Sequence, residues 1–455
     1  MPITSVNPFN NQLIKEFKEY SDTEIEAVVG AVAHQFHEWK SVSFDERASL
    51  MRNCSEILKK DCHKLALMIT EEMGKLIGES EAEINKCAWV CDYYAENAFS
   101  FLKNETLPVN EARSYIAYDP LGVILAVMPW NFPFWQVFRF LAPALMAGNV
   151  GLLKHASNVP QCALAIEDTI RKAGFPQNVF RTLLIGSGKV NKVIDDERIV
   201  AVTLTGSELA GQEVAERAGR NIKKLVLELG GSDPFIVLKD ADIEEAVKIA
   251  VLSRMINCGQ SCIAAKRFII EKDIENTFIE LYKNEILKLS AGDPVNPDTN
   301  LAPLARPDLV SDLERQVVES INLGAELVTG GKRILGEGNF YQPTILKNVQ
   351  PGMPAFDEEL FGPVIPIITA LDEMEAIKLA NKSRYGLGAA IWTRDINKGE
   401  KLARMVESGS VFINSMVASH PKVPFGGVKM SGYGRELSHL GIREFMNTKS
   451  VWVNG

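Results

Sequence analysis

The sequence has little of what marks an exported or membrane-spanning protein. Its first ten residues, MPITSVNPFN, lack a basic segment followed by an apolar run, so we expect no secretory signal peptide. The longest apolar run, near LGVILAVMPW, is about half of the roughly 20 residues that a membrane-spanning helix needs. We therefore predict a cytoplasmic protein, in a compartment where thiols stay reduced.

An excess of positive charge is also missing. The 49 Lys and Arg residues are outnumbered by 58 Asp and Glu residues, which gives a formal net charge of −9. Nucleic-acid binding would need a basic stripe on the surface, so we predict neither a nucleic-acid partner nor an acidic membrane partner. What remains is a globular composition in a chain of 455 residues, long enough for two or three domains.

Cysteine and histidine are too few, and too scattered, for a structural zinc site. The six histidines show no ligand spacing, and none of the seven cysteines belongs to a paired CxxC set. We predict no metal and expect most of the cysteines to be inert core residues. One stretch stays open: NCGQSC, residues 257–262, could be a metal knuckle, a disulfide, a reactive nucleophile or none of these.

The first hundred residues have mainly helical patterns. SDTE, residues 21–24, is a capping box ahead of an apolar stripe at helical spacing. SFDE, residues 43–46, repeats this signal, and a third helical pattern runs through about residues 55–100. After them, EARSYIAYDPLG, residues 111–122, alternates polar and apolar residues and predicts a strand at a sheet edge.

From there on, apolar strand-like runs alternate with helical stretches. The runs are GVILAVM, NVGLLK, VAVTLTG, KLVLELG, PFIVL and AKRFIIE, and residues 161–172 and 208–218 are examples of the helices. This alternation is typical of βαβ units and a parallel sheet. It predicts two α/β lobes that meet near residue 231, with strand-like pieces near 103–119 and 448–454 outside both.

Four stretches place reactive or ligand-binding residue types at strand ends or turns. Each has an ordinary structural alternative: a plain strand–turn–helix junction, a solvated lysine, an exposed glutamate and a packed aromatic turn. A glycine turn before a helix can approach phosphate, a strand-end lysine can contact a nucleotide, a buried carboxylate can act as a base, and an amide on a stiff loop can stabilise negative charge. They are TLTGSELAG (203–211), LLKHAS (152–157) with Lys154, VLELGGSDP (226–234) with Glu228, and MPWNFPFW (128–135) with Asn131.

Cys262 follows a Gly-Gln-Ser turn next to a predicted strand. A thiolate there could attack an aldehyde carbonyl. A cysteine–histidine hydrolase fits poorly, because neither His155 nor His420 lies in a known hydrolase signature.

Five motifs together resemble the aldehyde dehydrogenase superfamily over essentially the whole chain. They occur in that family's order and approximate spacing: PWNFP, LELGGSDP, GQSC, EELFGPV and PFGGVKMSGYGRE. The resemblance implies an α/β fold with a Rossmann-type cofactor domain (1–102 and 120–231), an α/β catalytic domain (232–425) and small β oligomerisation segments (103–119 and 426–455). It also implies a homodimer or homotetramer.

The resemblance assigns the chemistry to named residues. Cys262 would attack the aldehyde and form a thiohemiacetal, Asn131 would supply half of the oxyanion hole, and Glu228 would activate the water that hydrolyses the thioester. The implied cofactor contacts are Trp130, Lys154, Ser157, Gly206, Ser207, Leu229 and Glu359. No metal is implied.

Ser157 bears on the choice of cofactor. Many NAD-preferring relatives carry a glutamate three residues after the lysine, where it would repel a 2′-phosphate. Ser157 is neutral and follows the cationic Lys154, so we predict a preference for NADP with NAD possible.

Within the superfamily the likeness is greatest to bacterial succinate-semialdehyde dehydrogenases. Arg139 matches a carboxylate-binding arginine of that group, whereas a second arginine of some members is Ile256 here. Ser419, or else His420 or Lys422, could supply the missing donor. The implied reaction is oxidation of succinic semialdehyde to succinate. The alternatives are another short or medium aldehyde, such as glutarate semialdehyde or an aliphatic one, or a non-catalytic binding protein.

Cys258 has no assigned role, and a thiol without function is the simplest interpretation. A sharper hypothesis is a peroxide-induced disulfide between Cys258 and Cys262 that blocks the nucleophile, because their spacing can allow the Cα separation that a disulfide needs.

Overall fold

A computed structural model describes residues 3–110 and 112–454. Met1, Pro2, Glu111 and Gly455 lie outside the described residues. The helices are α1 (Asp22–Trp39), α2 (Phe44–Lys60), α3 (Cys62–Met73), α4 (Ile77–Leu102), α5 (Trp135–Met146), α6 (Pro160–Lys172), α7 (Val190–Asp195), α8 (Glu208–Arg220), α9 (Ile243–Met255), α10 (Glu275–Ile286), α11 (Pro307–Asn322), α12 (Pro354–Asp357), α13 (Glu373–Asn381), α14 (Ile396–Ala403) and α15 (Ser438–Arg443).

Strands alternate with these helices over most of the chain. They are β1 (Ile3–Asn7), β2 (Gln12–Phe17), β3 (Glu105–Leu107), β4 (Arg113–Pro120), β5 (Val123–Met128), β6 (Val150–His155), β7 (Phe180–Thr182), β8 (Ile199–Thr205), β9 (Lys224–Glu228), β10 (Asp233–Val237), β11 (Ala265–Glu271), β12 (Glu326–Thr329), β13 (Thr344–Lys347), β14 (Val364–Ala370), β15 (Tyr385–Gly386), β16 (Gly388–Trp392), β17 (Ser410–Ile413), β18 (Val428–Lys429), β19 (Gly432–Tyr433) and β20 (Met446–Val453). The predicted α/β architecture is confirmed.

The amino-terminal helices begin where the capping signals predict. The Ser21 hydroxyl accepts from the Glu24 backbone N–H, and the Glu24 carboxylate accepts from the Ser21 N–H. The single helical pattern predicted over 55–100 is wrong, because the chain breaks at Asp61 and again at Gly74, which has a φ of +80°. The result is the three helices α2, α3 and α4, and α4 forms one wall of the site described below.

The first large sheet has the strand order β19-β9-β8-β5-β6-β7. Strands β5 to β9 run parallel, so their carboxyl ends share one edge. Along this edge Lys154 is beside Val127, and Glu228 is beside Thr205. Ligands of open parallel sheets bind at such an edge.

The second large sheet has the order β12-β13-β14-β11-β10-β16-β17. Its strands are parallel except for the β12–β13 pair. Strand β11 is central, and the loop that enters it carries Cys262.

A third sheet has the order β20-β4-β3. The prediction that EARSYIAYDPLG forms an edge strand is therefore wrong, since β4 is the middle strand. Strand β20 pairs with β4 from Met446 opposite Pro120 to Val453 opposite Arg113. The outer edge of this sheet is β20, whose residues are mostly exposed.

The predicted domain limits stay a prediction. Residues 426–455 supply strand β19 to the first sheet as well as β20 to the third. Over residues 3–110 and 112–454, no helix is both long and apolar enough to cross a membrane.

Candidate active site

Cys262 lies in a loop between a short 3-10 turn, Ile256–Gly259, and strand β11. Lys266 holds this loop in place. Its ammonium group donates to the Ser261 carbonyl at 2.7 Å and to the Cys262 carbonyl at 2.6 Å. The backbone at Gly231 packs so closely that a Cβ there would lie 2.7 Å from the Cys262 carbonyl oxygen. The position of the nucleophile therefore depends on a glycine and a buried lysine.

The turn before the nucleophile has an unfavourable backbone conformation. Asn257 and Cys258 have φ values of 52° and 54°, a region in which a non-glycine residue costs roughly 1–3 kcal/mol. Asn257 is held by its neighbours: its N–H donates to the Glu79 carboxylate at 3.0 Å, and its side-chain amide donates to the Asn131 carbonyl at 2.8 Å. The strained turn is thereby attached to the loop that carries Asn131.

A cavity of about 280 Å³ opens at the nucleophile. Its lining includes the predicted nucleophile and both predicted substrate residues, Cys262, Arg139 and Ser419, but neither His420 nor Lys422. Apolar side chains form much of the rest, among them Phe132, Trp135, Leu252, Ile256, Ile263 and Phe425. This largely apolar cavity, called the chamber below, therefore contains the Cys262 thiol and the two polar side chains predicted to bind the substrate, Arg139 and Ser419.

Asn131 is 4% exposed, and its side-chain amide is fixed at both ends. Its oxygen accepts from the Gln136 side chain at 3.1 Å, and its nitrogen donates to the Gln260 carbonyl at 3.1 Å. An amide nitrogen carries two protons, so one N–H has no acceptor among the described residues, although Asn131 is not itself a lining residue of the cavity. A donor fixed in this way suits an oxyanion hole.

The surroundings of the Cys262 thiol favour its protonated form at neutral pH. The side chain can be reached from the cavity, but burial by the surrounding protein raises its pKa to about 11, although Lys266 and Arg139 act in the opposite direction. Attack by the thiolate therefore requires a nearby group that accepts the proton.

Glu228 ends strand β9 and is 2% exposed. Burial and the nearby Glu436 raise the pKa of its carboxyl well above the ordinary value, against the influence of Arg139. Neither carboxyl oxygen has a hydrogen-bond partner among the described residues. A Cβ at Gly426 would lie 2.7 Å from Glu228 Oε1, so glycine leaves room for the carboxyl. Glu228 is not among the residues that line the cavity.

Arg139 lines the cavity, but its charge is already compensated. Its guanidinium group forms a buried ion pair with Glu436, donates to the Thr205 hydroxyl at 3.4 Å and lies 4.5 Å from the Phe425 ring centre. The predicted role of Arg139 in holding a substrate carboxylate stays a prediction.

The predicted cofactor residues follow the carboxyl ends of the parallel strands in the first sheet. Lys154 belongs to β6, Gly206 follows β8, and Leu229 follows β9. The Ser207 hydroxyl caps α8 by accepting from the Ala210 N–H at 3.3 Å. Ser157 and Ser207 are exposed and Trp130 is half-buried, so these positions are open to a ligand.

Glu359 lies where the nucleophile loop meets a second cavity, of about 500 Å³. Its carboxylate accepts from the Gly231 N–H at 3.1 Å and lies 3.2 Å from the Lys266 ammonium group. Arg384 also lines this cavity and forms an ion pair of 2.6 Å with Glu208, the first residue of α8. The amino-terminal end of α8 and Glu359 therefore lie beside the same cavity.

These surroundings fit a nicotinamide dinucleotide. Burial lowers the pKa of Lys154. Among the described residues, no carboxylate oxygen lies within 4.0 Å of its ammonium group. A cation at a parallel-sheet edge suits a phosphate-bearing ligand. Within the part of the chain that the structure describes, no group of three or more His, Cys, Asp or Glu side chains could hold a metal ion.

Sequence patterns did not identify several residues that shape the site. Gln136 orients Asn131, Lys266 anchors the nucleophile loop, and Glu436 pairs with Arg139. Glu436 lies within the recognised motif PFGGVKMSGYGRE and could have been suspected from it, whereas the other two required tertiary structure.

Cys258 and Cys262 face different surroundings. Cys258 is 2% exposed within the core around strands β10, β11 and β14, whereas Cys262 packs against the core of the first sheet. Both are free thiols. A disulfide between them would require rearrangement of the strained turn, and the hypothesis stays a prediction.

Comparison with known proteins agrees with this geometry. A sequence model described as the Aldehyde dehydrogenase family matches residues 1–451. A Synechocystis protein named a probable NADP(+) succinate-semialdehyde dehydrogenase is 49% identical over 453 residues, covering 100% of both chains. A Mycobacterium avium protein named an NADP(+) succinate-semialdehyde dehydrogenase is 48% identical and covers 100% of this chain and 97% of the relative.

Among solved structures, succinic semialdehyde dehydrogenase from Streptococcus pyogenes, in complex with NADP+, is similar over 100% of both chains. Its TM-score is 0.98 at 38% identity.

Proposed function

Because this chain belongs to the aldehyde dehydrogenase family, we propose that it oxidises succinic semialdehyde to succinate with NADP+. The observation that carries the proposal is the single chamber that unites the Cys262 thiol with the polar groups of Arg139 and Ser419. An aldehyde at one end and a carboxylate at the other would match this pairing. Relatives of nearly half-identical sequence carry that substrate and cofactor in their names.

Cys262 begins the reaction by attacking the aldehyde carbon. Its sulfur forms a bond to that carbon, and the carbonyl oxygen takes up the electron pair. The free N–H of Asn131 and the backbone N–H of Cys262 stabilise this oxygen. Because Gln136 and Gln260 hold Asn131 in place, the donor needs no reorganisation as charge develops, which is how such groups lower a barrier.

The cofactor contacts are the residues at the edge of the first sheet together with Glu359. When bound, the nicotinamide supplies an acceptor for the hydride of the thiohemiacetal. The chain's own contribution is to hold the ribose at Glu359 and the adenine side at Lys154, and to keep the Cys262 sulfur in position through Lys266.

Glu228 serves the hydrolytic half. Its raised pKa makes its carboxylate a stronger base than an ordinary glutamate. After rotation into the chamber it takes a proton from water, which attacks the thioester carbon. The bond from that carbon to the Cys262 sulfur breaks, the acid is released, and the proton held by Glu228 passes to the departing sulfur. The same carboxylate can accept the thiol proton at the start of the cycle, provided that it gives this proton to solvent before the water attacks.

NADP preference follows from the charge around the adenine ribose. Ser157 is exposed and neutral, and Lys154 has no carboxylate partner in the described ion pairs, so a 2′-phosphate meets a cation and a hydroxyl rather than an acid. In Ser157→Glu, we expect the NADP-to-NAD ratio of kcat/KM to fall about tenfold or more, since like charges a few ångströms apart repel.

We further propose the domain division at residues 102, 119, 231 and 425, and a cytoplasmic homo-oligomer. The open outer edge of β20 supports assembly, because an unpaired edge strand can pair with another chain. Sedimentation of the wild type and of a chain that ends before residue 446 would test the assembly. If both chains form assemblies with the same number of subunits, the proposed role of β20 is contradicted.

A substrate panel with both cofactors tests the central proposal. Reduced-cofactor absorbance should give the highest kcat/KM with succinic semialdehyde and NADP+, ahead of glutarate semialdehyde and butanal. A higher value for butanal would instead favour the apolar alternative, to which Ile256 and Phe425 would be suited. Absence of turnover with every aldehyde would favour a binding protein.

A further inference from the structure

The substrate chamber has an unusual balance of buried charge on its α4 wall. Three ionisable side chains on or just before α4, Lys75, Glu79 and Glu83, already have protein partners. Lys75 and Glu83 form an ion pair and are almost fully buried, and Glu79 accepts from the Asn257 N–H at 3.0 Å. These groups are satisfied without a ligand.

The α5 wall is balanced as well. Arg139 is the cation of that wall, and its partner Glu436 is 5% exposed. A second carboxyl, Glu228, is close enough for Arg139 to influence its pKa. The positive charge of Arg139 thus faces two acidic groups before any substrate enters.

Lys86, on α4, is different. Its ammonium group lines the chamber, lies 4.4 Å from the Trp135 ring centre and donates to the Ser419 hydroxyl at 2.9 Å. The described chain places no carboxylate within 4.0 Å of it. Burial, and secondarily the charge of Arg139, lowers its pKa to about 8. A cation in this state gains from an anionic partner.

Ser419 completes a donor pair beside Lys86. Its hydroxyl oxygen accepts from Lys86 at 2.9 Å and from the Trp135 indole N–H at 3.2 Å. Both lone pairs are thereby used, so the hydroxyl proton is left to donate. Lys86 has two further N–H protons. The pair therefore presents donors, and no acceptor, to the chamber.

We propose that Lys86, together with Ser419, binds the terminal carboxylate of the substrate, and that Arg139 mainly positions Glu436 and Glu228. This inference rests on the proposed function for the presence of a carboxylate on the substrate. It assigns the specificity for an acidic aldehyde to a residue that lies 333 positions away from Ser419 in the sequence.

The first experiment compares succinic semialdehyde with butanal, its neutral four-carbon counterpart, in Lys86→Met, Lys86→Arg and Arg139→Gln. We expect Lys86→Met to lower the succinic semialdehyde-to-butanal ratio of kcat/KM by roughly 10- to 100-fold, mainly through KM, as a lost charged hydrogen bond does. Lys86→Arg should keep most of the ratio. Arg139→Gln should lower kcat for both aldehydes. The exposed Lys248, changed to Met, serves as a matched control with an unchanged ratio.

A second readout uses succinate alone. Succinate should protect Cys262 from alkylation in the wild type and much less in Lys86→Met. If the wild type shows no preference for the acidic aldehyde but retains this Lys86-dependent protection, the proposed function fails while the Lys86 anion site stands.

Two results would overturn the inference. One is a Lys86→Met enzyme with wild-type selectivity and wild-type protection by succinate. The other is a loss of selectivity that is confined to Arg139→Gln.

Discussion

The two helices that wall the chamber bury charge in different ways. On α5, Arg139 has a carboxylate partner in Glu436. Just before α4, Lys75 has one in Glu83, but Lys86 on α4 meets only a neutral hydroxyl. A paired buried charge holds structure, and removing one partner is expensive. A half-buried cation such as Lys86, which lacks a counter-charge, is instead available to a ligand, so the two kinds of group should respond differently to mutation.

The largest loss of activity should come from removing the Cys262 sulfur, which lies in the chamber between the two helices. Cys262→Ala should abolish aldehyde-dependent reduction of NADP+, by about 10³-fold or more, because no covalent intermediate can form. Cofactor binding, measured by fluorescence quenching, should survive. Measurable turnover in this variant would contradict the proposed mechanism, regardless of the results for the α4 and α5 variants.

The paired charge of α4 should affect stability. Glu83→Ala leaves Lys75 buried without a partner and removes the acceptor of the Phe134 and Trp135 backbone N–H groups. We expect a loss of about 3–5 kcal/mol in the free energy of unfolding, measured by denaturant titration. The matched control is Lys59→Met, which breaks the exposed pair with Asp92 and should cost less than about 1 kcal/mol. Similar losses in both variants would remove the distinction between buried and exposed pairs.

The oxyanion donor should affect rate rather than stability. Asn131→Ala should reduce kcat by about 10²- to 10³-fold. Gln136→Ala, which removes the donor to the Asn131 amide oxygen, should cause a smaller loss in kcat, with cofactor KM little changed. Equal losses in the two variants would mean that Gln136 contacts the substrate itself.

The smallest effect should be the pH dependence of the unpaired cation. Lys86 loses its charge as pH rises through about 8, so KM for succinic semialdehyde, relative to that for butanal, should rise by up to about tenfold between pH 7 and 9. The charged or titratable groups that influence Lys86 are Lys75, Glu83, Cys87 and Arg139. In Lys86→Arg the ratio should be flat, because arginine stays charged. A sloping ratio in that variant would assign the titration to another group.

The sequence could single out Cys262 and Asn131 as candidates because each lies within a short motif, and their proposed roles stay predictions. GQSC and PWNFP each contain one polar or reactive side chain, and the local sequence of the motif itself specifies the turn that carries it. The sheet edge could also be predicted, since alternation of apolar runs and helices fixes which strand ends lie together.

The anion site could not be predicted, because it depends on distant segments. Nothing in the pattern of α4 distinguishes Lys86 from an ordinary solvated lysine until the loop of Ser419 packs against it. The same reason explains the error at β4: an edge strand becomes a middle strand only when β20, more than three hundred residues later, pairs with it.

One ammonium group connects the two halves of the reaction. Lys266 donates to the carbonyl of Cys262 and lies 3.2 Å from the Glu359 carboxylate. In the proposed site, a ligand that moves Glu359 would alter the restraint that Lys266 places on the Cys262 backbone. By thermodynamic linkage, acylation of Cys262 would then change the affinity for that ligand by the same factor. The proposed mechanism therefore predicts that release of the reduced dinucleotide is coupled to hydrolysis of the acyl group.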